Sequence, residues 1–328
     1  MSEFAIPING VRIGHAVDTE VATGTTVCLF DTPAVTGVHI MGAAPGTRET
    51  ELLDPRHTVD RVDAIVLSGG SAFGLDAAGG VQGWLKAQGR GIVLEPVRVP
   101  IVPCAILFDL RNDGNKDWGI HSPYRELGLA AVANTRSATA LGKVGAAYGA
   151  RTATTPGGFG AAATQLVIDG QVANIMAFAA VNAAGAPTVG DTHHYWAAPF
   201  EEDDEFGGYG FPHPWPVDAR EPRTKAGQRV AGENTTLAIV VTDIELDAAS
   251  ANRIAVNAHD GFARALYPVH TPADGDLIFA ASTGRVAIDA ERLMDLGTLA
   301  ANTVARAIAV GVHAALMAAQ DKEADGPR

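Results

Sequence analysis

The sequence predicts an α/β protein whose sheet is at least partly antiparallel. Short β-branched runs alternate with Ala-rich stretches of helical spacing along almost the whole chain. Residues 164–168 and 172–181 flank Asp169-Gly170, a pair that favours the two-residue turn of a hairpin. Neither an internal repeat nor a second apolar unit able to stand alone is visible, so residues 1–328 are expected to form a single domain.

Each element has a local reason. Residues 64–67 read as a buried strand running into the turn Ser68-Gly69-Gly70-Ser71. A helix over 73–88 brings Leu75, Ala78, Val81 and Leu85 near one face, its glycines favour tight packing, and Gly89-Arg90-Gly91 ends it. Between 187 and 230 neither period holds. Pro, Gly, His and Trp surround the acidic run Glu201-Glu202-Asp203-Asp204-Glu205, which reads as an irregular insertion or mobile segment. Regularity returns with Thr235-Thr236-Leu237-Ala238-Ile239-Val240-Val241-Thr242, a buried strand. A helix over 247–266 carries Ile254, Ala258, Phe262 and Ala265, strands are expected at 277–281 and 286–288, and an Ala-rich helix runs from 290 to about 320.

Of the 328 residues, 47% are hydrophobic and 19% charged, enough apolar surface for a large core and too much for a disordered chain. The net charge of −13 argues against a nucleic-acid backbone binder. The 37 glycines, about 11% against a usual 7% or so, imply close approach of backbone to backbone. Cys28 and Cys104 lie inside apolar runs and read as buried thiols, not a disulfide framework. Met1-Ser2-Glu3-Phe4 lacks a secretory pattern, and the low-polarity stretch 307–319, interrupted by His313, is shorter than the roughly 20 residues of a membrane helix. A cytoplasmic protein with no membrane or nucleic-acid partner is expected.

Several motifs fail. Ser68-Gly69-Gly70-Ser71-Ala72-Phe73-Gly74 misses the G-x-G-x-x-G spacing, and Phe73 replaces the glycine of G-x-S-x-G. Gly142-Lys143-Val144 lacks the hydroxyl residue of a phosphate loop. His193, His194 and His213 have neither the spacing of a metalloprotease helix nor a thiolate partner, so no metal and no cofactor is expected. Gly232-Glu233-Asn234-Thr235-Thr236 is different in kind. If the Asn234-Thr235 bond were cut, Thr235 would head a strand with a hydroxyl nucleophile and its own α-amine. That amine, with a reference pKa of about 7.7–8.0, can serve as the base a threonine otherwise lacks. On composition alone the same residues also read as an ordinary turn and strand start.

A wider set of segments bears on this choice: Ile8-Asn9-Gly10-Val11-Arg12-Ile13-Gly14-His15, Gly46-Thr47-Arg48-Glu49-Thr50, residues 67–75 and 99–110, Glu233-Asn234-Thr235-Thr236, and His270-Thr271-Pro272-Ala273-Asp274-Gly275-Asp276. Through them the chain resembles the self-processing family of L-aminopeptidase/D-esterases, β-peptidyl aminopeptidases and the endo-type 6-aminohexanoate-oligomer (nylon-oligomer) hydrolase. The resemblance implies a four-layer αββα sandwich of the N-terminal-nucleophile-hydrolase type, related to that of ornithine acetyltransferase. It implies a self-cut between Asn234 and Thr235 into chains of 234 and 94 residues, and a tetramer of such αβ units. The cut and the acidic loop would then lie at the surface or at a subunit edge.

Residue by residue, the resemblance makes Thr235 the nucleophile, Lys143 a cation that lowers the amine pKa, and Asn182 a donor to the oxyanion. Asp274 and Asp276, across Gly275, would orient the nucleophile. Gly70, Ser71 and Phe108 would border the substrate pocket. Two departures concern substrate. Phe108 stands where some members carry a Tyr, and Val102, Cys104, Ala105 and Ile106 are apolar where aminopeptidases tend to hold an acid for the substrate ammonium. This favours an amidase acting on linear amide oligomers or internal bonds, with Glu95, Asp109 or another subunit as alternative sources of that acid. Aminopeptidase, D-esterase or β-aminopeptidase activity, acyl transfer, and an unprocessed scaffold stay open as rivals.

Overall fold

A computed structural model of the protein describes residues 3–225 and 234–324. The first half contains β1 (Glu3–Ala5), β2 (Val11–Asp18), β3 (Thr23–Ile40), β4 (Thr47–Arg48), β5 (Arg61–Ser68), α1 (Ala77–Ala87), β6 (Ile92–Leu94), β7 (Val97–Val99), β8 (Cys104–Ile106), α2 (Tyr124–Ala133) and β9 (Ala138–Ala140). The second contains β10 (Phe159–Ile168), β11 (Gln171–Asn182), β12 (Thr235–Ile244), α3 (Ala248–Ala258), α4 (Asp260–Ala265), β13 (Leu277–Val286) and α5 (Leu293–Ala324).

The long strand β3 joins the two halves. Its first part pairs with β2 and β5, and its second part with β13, giving the order β10-β11-β12-β13-β3-β5-β8-β4 with β2 added on β3. Strand alternation then sorts the side chains into three cores. Cys28, Phe30, Ile65 and Leu67 meet Phe178, Leu237, Ile239 and Phe279 between the sheets. Val27, Leu29, Ala64 and Val66 pack on α1 and α2 through Ala78, Val81, Leu85 and Val132. Ala238, Val240, Ile278 and Ala280 pack on α3, α4 and α5. Helices, sheet, sheet, helices: the αββα sandwich is present as expected.

The glycine excess finds its use where α5 lies on β10. A Cβ on Gly160 would stand 1.9 Å from the Ala307 carbonyl, so that position admits only glycine. Leu293–Asp321 of α5 is long and apolar enough to cross a membrane, more than the stretch 307–319 suggested, yet 72% of its most apolar window is buried inside the protein. Cys28 and Cys104 are buried free thiols, and burial pushes the Cys104 thiol up to about 12 and raises that of Cys28 further.

Four elements differ from the sequence reading. The helix expected over 73–88 opens as a 3-10 helix, Ser71–Asp76, because Gly70 and Ser71 both take positive φ and turn the chain sharply. The helix over 247–266 breaks at His259. In place of strands at 277–281 and 286–288 there is one strand, Leu277–Val286, with Gly284 at φ +71° inside it and a register shift opposite, between Thr242 and Ile244. Within 187–225 there is indeed no strand or α-helix, but the stretch is packed: Tyr195, Ala197 and Phe206 join the outer core. Residues 226–230 of the irregular stretch, and Gly232 and Glu233 of the turn before Thr235, lie outside the described residues.

The acidic run holds that segment in place. Glu202 and Glu205 grip the buried Arg306 guanidinium of α5 at 2.8 and 2.5 Å, while Glu201 Oε1 accepts the Phe206 and Gly208 N–H groups, each at 2.9 Å. Arg306 also donates to the Ala163 carbonyl at 3.0 Å. Arg306→Met therefore strands a partly buried carboxylate and a carbonyl, and is expected to lower unfolding free energy by about 1–3 kcal/mol. The urea midpoint measures this, and an unchanged midpoint contradicts it.

Candidate active site

Three strand ends converge on Thr235. It opens β12, stands opposite Asn182 at the end of β11, and follows Asn234, which bridges in parallel to Asp274 just before β13. Residues directly opposite in a ladder share a face with Cβ atoms about 4.5–5.5 Å apart, so the Thr235 and Asn182 side chains are neighbours. Both Asn234 and Thr235 are buried, at 1% and 2% exposure. Of the two places expected for the cut, the surface or a subunit edge, the surface does not fit the single uncut chain, where both residues are buried. Thr235 Oγ donates to the Asn234 carbonyl at 2.5 Å, and the Gly275 N–H donates to the same oxygen at 2.8 Å.

Asp274 and Asp276 serve the backbone around Thr235. Asp274 accepts the Thr271 N–H at 2.7 Å and the Ala184 N–H at 3.2 Å. Asp276 accepts the Thr236 N–H at 2.7 Å through Oδ1 and meets His270 Nδ1 at 2.8 Å through Oδ2. Burial and then the neighbouring Asp276 charge raise the Asp274 pKa. In β13 the even-numbered residues face the outer core and the odd-numbered ones the inter-sheet core, as in β12. By that alternation the two carboxylates lie behind β12 and Gly275 lies on the Thr235 side. A Cβ on Gly275 would come within 2.7 Å of Thr235 Oγ.

Asn182 lines a cavity of about 230 Å³ together with Phe108, Asp109, Arg111, Arg151 and Lys225. Its Nδ2 donates to the Phe108 carbonyl at 2.9 Å, and its Oδ1 accepts the Arg151 N–H and the Lys225 ammonium, both at 3.1 Å. Lys143 is exposed, its ammonium 5.7 Å from the Tyr148 ring centre, in an adjoining cavity of about 610 Å³ that shares Arg151 and Thr152 with the first. Phe108 thus meets Asn182 directly, whereas Gly70 and Ser71 stand further back. Their N–H groups go to Asp109 at 2.8 Å and to the Leu107 carbonyl at 3.0 Å. Asp109 is 4% exposed and also takes the Thr23 hydroxyl at 2.6 Å, and Glu95 sits on the exposed β6–β7 hairpin.

The sequence reading missed Arg111, Arg151 and Lys225, which no local pattern marks, and the role of His270, quoted only as part of a motif. His270 takes φ +52° and packs edge-on to His259 and face-on to Phe262. His193 and His194 stack on one another beside Tyr209.

The αββα sandwich is that of the Ntn-hydrolase fold. A solved structure described as the L-aminopeptidase D-Ala-esterase/amidase of Ochrobactrum anthropi, a variant of that fold, superposes with a TM-score of 0.71 at 17% identity, covering 96% of this chain and 88% of the other. The chain belongs to peptidase family S58, whose profile matches residues 6–325, and it is an amide-bond hydrolase. An uncharacterized aminopeptidase of Mycobacterium tuberculosis is 37% identical over 93% of this chain and 92% of its own. A 6-aminohexanoate-oligomer endohydrolase of an Agromyces species is 28% identical over 93% of this chain and 81% of its own.

Proposed function

We propose that the protein is a self-processing threonine amidohydrolase, which cuts its own chain between Asn234 and Thr235 and then hydrolyses linear amide oligomers or peptides through an acyl-enzyme on Thr235. The observation that carries this reading is the Asn234 carbonyl, held by the Gly275 N–H at 2.8 Å with Thr235 Oγ 2.5 Å from the same oxygen. A donor fixed on that oxygen stabilises the negative charge that grows when the hydroxyl adds to the carbonyl carbon. The C–N bond of this adduct then breaks as the hydroxyl proton passes to the nitrogen, leaving an ester and a free α-amine. Water then hydrolyses the ester, releasing the Asn234 carboxylate and restoring the hydroxyl.

The freed amine next takes the hydroxyl proton as Thr235 attacks substrate, and passes it to the leaving amine. Lys143 holds the amine pKa down, and Asn182 donates to the substrate oxyanion once its Nδ2 leaves the Phe108 carbonyl. Asp274 and Asp276 keep the strand start rigid. The family resemblance supports a cytoplasmic tetramer of αβ units. Two relatives' names pull apart on substrate: aminopeptidase for the mycobacterial protein, endohydrolase of an amide oligomer for the Agromyces one. The buried, apolar Val102, Cys104, Ala105 and Ile106, with Asp109 already hydrogen-bonded, favour the second.

Acid-quenched incubation with a hexanoyl ester tests the nucleophile by mass spectrometry. The 94-residue chain is expected to gain one hexanoyl group on its first residue. An adduct on the larger chain, or steady turnover through another residue, contradicts the assignment. Added ornithine should leave hydrolysis as the outcome, and formation of an acylated ornithine favours the acyltransferase rival.

A further inference from the structure

We propose that His270 is a positioning residue for Thr235, which acts through Asp276 and takes effect once the chain has been cut. The proposal rests on the Thr235 reading, because it concerns what holds that nucleophile in place. Before the cut Thr235 is tied on both sides: Asn234 precedes it, with its carbonyl on the Gly275 N–H, and the rest of β12 follows. After the cut Thr235 is the first residue of a chain, and chain ends fray unless something ties them down. A reacting group displaced by about 1 Å loses on the order of 100-fold in rate, so the remaining ties decide turnover.

Asp276 supplies one of them. Its Oδ1 accepts the N–H of Thr236, the residue after the nucleophile, at 2.7 Å, and both residues are buried. Its Oδ2 accepts the His270 N–H at 3.3 Å and faces the ring of the same residue, with Nδ1 2.8 Å away. An oxygen that already accepts from the backbone takes a second donor there, so Nδ1 carries the ring proton. A buried carboxylate needs donors on both oxygens, and with them in place it cannot turn away from Thr236. The neighbouring acid sharpens that need, since burial and then the Asp276 charge raise the Asp274 pKa.

His270 is itself held in one orientation. Its φ of +52° is a conformation that histidine adopts more readily than most residues with a side chain. Its ring stacks face-on to Phe262 at 5.5 Å and edge-on to His259 at 5.0 Å, and His259 Nε2 donates to the His39 carbonyl at 3.1 Å. Only 14% of the His270 side chain is exposed. The ring thus passes the rigidity of the α3–α4 junction to Asp276, and Asp276 passes it to the start of β12.

The test compares His270→Asn, His270→Gln and His270→Gly. Asn sets its amide nitrogen where Nδ1 stands, Gln sets it near the place of Nε2, and Asn and Gly both suit a positive φ. With hexanoyl p-nitroanilide and the processed enzyme, kcat is expected to fall roughly tenfold or more in the Gln and Gly variants, the worth of a hydrogen bond to a carboxylate, and to stay within about threefold of wild type in the Asn variant. KM, and the rate at which the smaller chain appears, should stay within about threefold in all three, because the bond acts on the nucleophile after the cut and not on substrate binding. An Asn variant no faster than Gln or Gly, or processing that slows as much as turnover, overturns the role, since a merely structural histidine gives either result. If the Gly variant does not fold, the Asn and Gln variants decide by the same comparison. Nitrogen-15 NMR of the wild-type protein is expected to place the His270 ring proton on Nδ1, and a proton on Nε2 alone overturns the link to Asp276. Failure of the Thr235 reading shows separately, in the wild-type protein, as one uncut chain on a gel or as no hydrolysis of the anilide.

Discussion

Thr235→Ala is expected to yield a single folded chain that never separates into fragments and has lost kcat by on the order of 10⁴–10⁶-fold, the scale of removing a covalent nucleophile. The loss of fold should be slight. Strand β12 keeps its ladders to β11 and β13, and the Asn234 carbonyl keeps the Gly275 N–H. Thr235→Ser retains both the hydroxyl and, after the cut, the α-amine, so it should process and turn over within roughly tenfold of wild type. Gel electrophoresis and burst kinetics check both. Fragments from the alanine variant, or its residual activity near wild type, would remove Thr235 from the mechanism.

Gly275→Ala should be the most damaging substitution that leaves every proposed catalytic side chain in place. Its added Cβ would stand 2.6 Å from the Ala44 carbonyl and 2.7 Å from Thr235 Oγ, distances that real Cβ atoms do not sustain. Something must move, and the backbone that moves carries the N–H bound to the Asn234 carbonyl. Misplacing a reacting group by about 1 Å costs on the order of 100-fold, and weakening an oxyanion donor adds a comparable factor. The rate at which the 94-residue fragment appears should therefore fall at least on the order of 100-fold, with circular dichroism unchanged. Processing at the wild-type rate would show that the donor and the nucleophile are not coupled through residue 275.

Much of this site is visible in the chain before any coordinates. A β-branched run that restarts after a polar turn places Thr235 at a strand start, but the roles of Thr235 and of Asp274 and Asp276 come only from the family resemblance of the segments around them. The Asp169-Gly170 pair between two apolar runs is enough for the hairpin, and both residues take positive φ there. What alternation could not supply is which sheet face each acid takes near β13, because the face depends on pairing with β12, some forty residues away in sequence. Arg111, Arg151 and Lys225 are invisible for a similar reason: they come from separate loops and meet only around Asn182. The packing of 187–225 was hidden because Tyr195, Ala197 and Phe206 follow no period, and the acids that fix the segment find their cation on α5.

The account depends most on one covalent event. Intact mass and N-terminal sequencing of the purified wild-type protein test it directly. Two chains of 234 and 94 residues are expected, the smaller beginning Thr235-Thr236-Leu237. A single stable chain of 328 residues that nevertheless hydrolyses amides, or a small fragment beginning at any other residue, would contradict it.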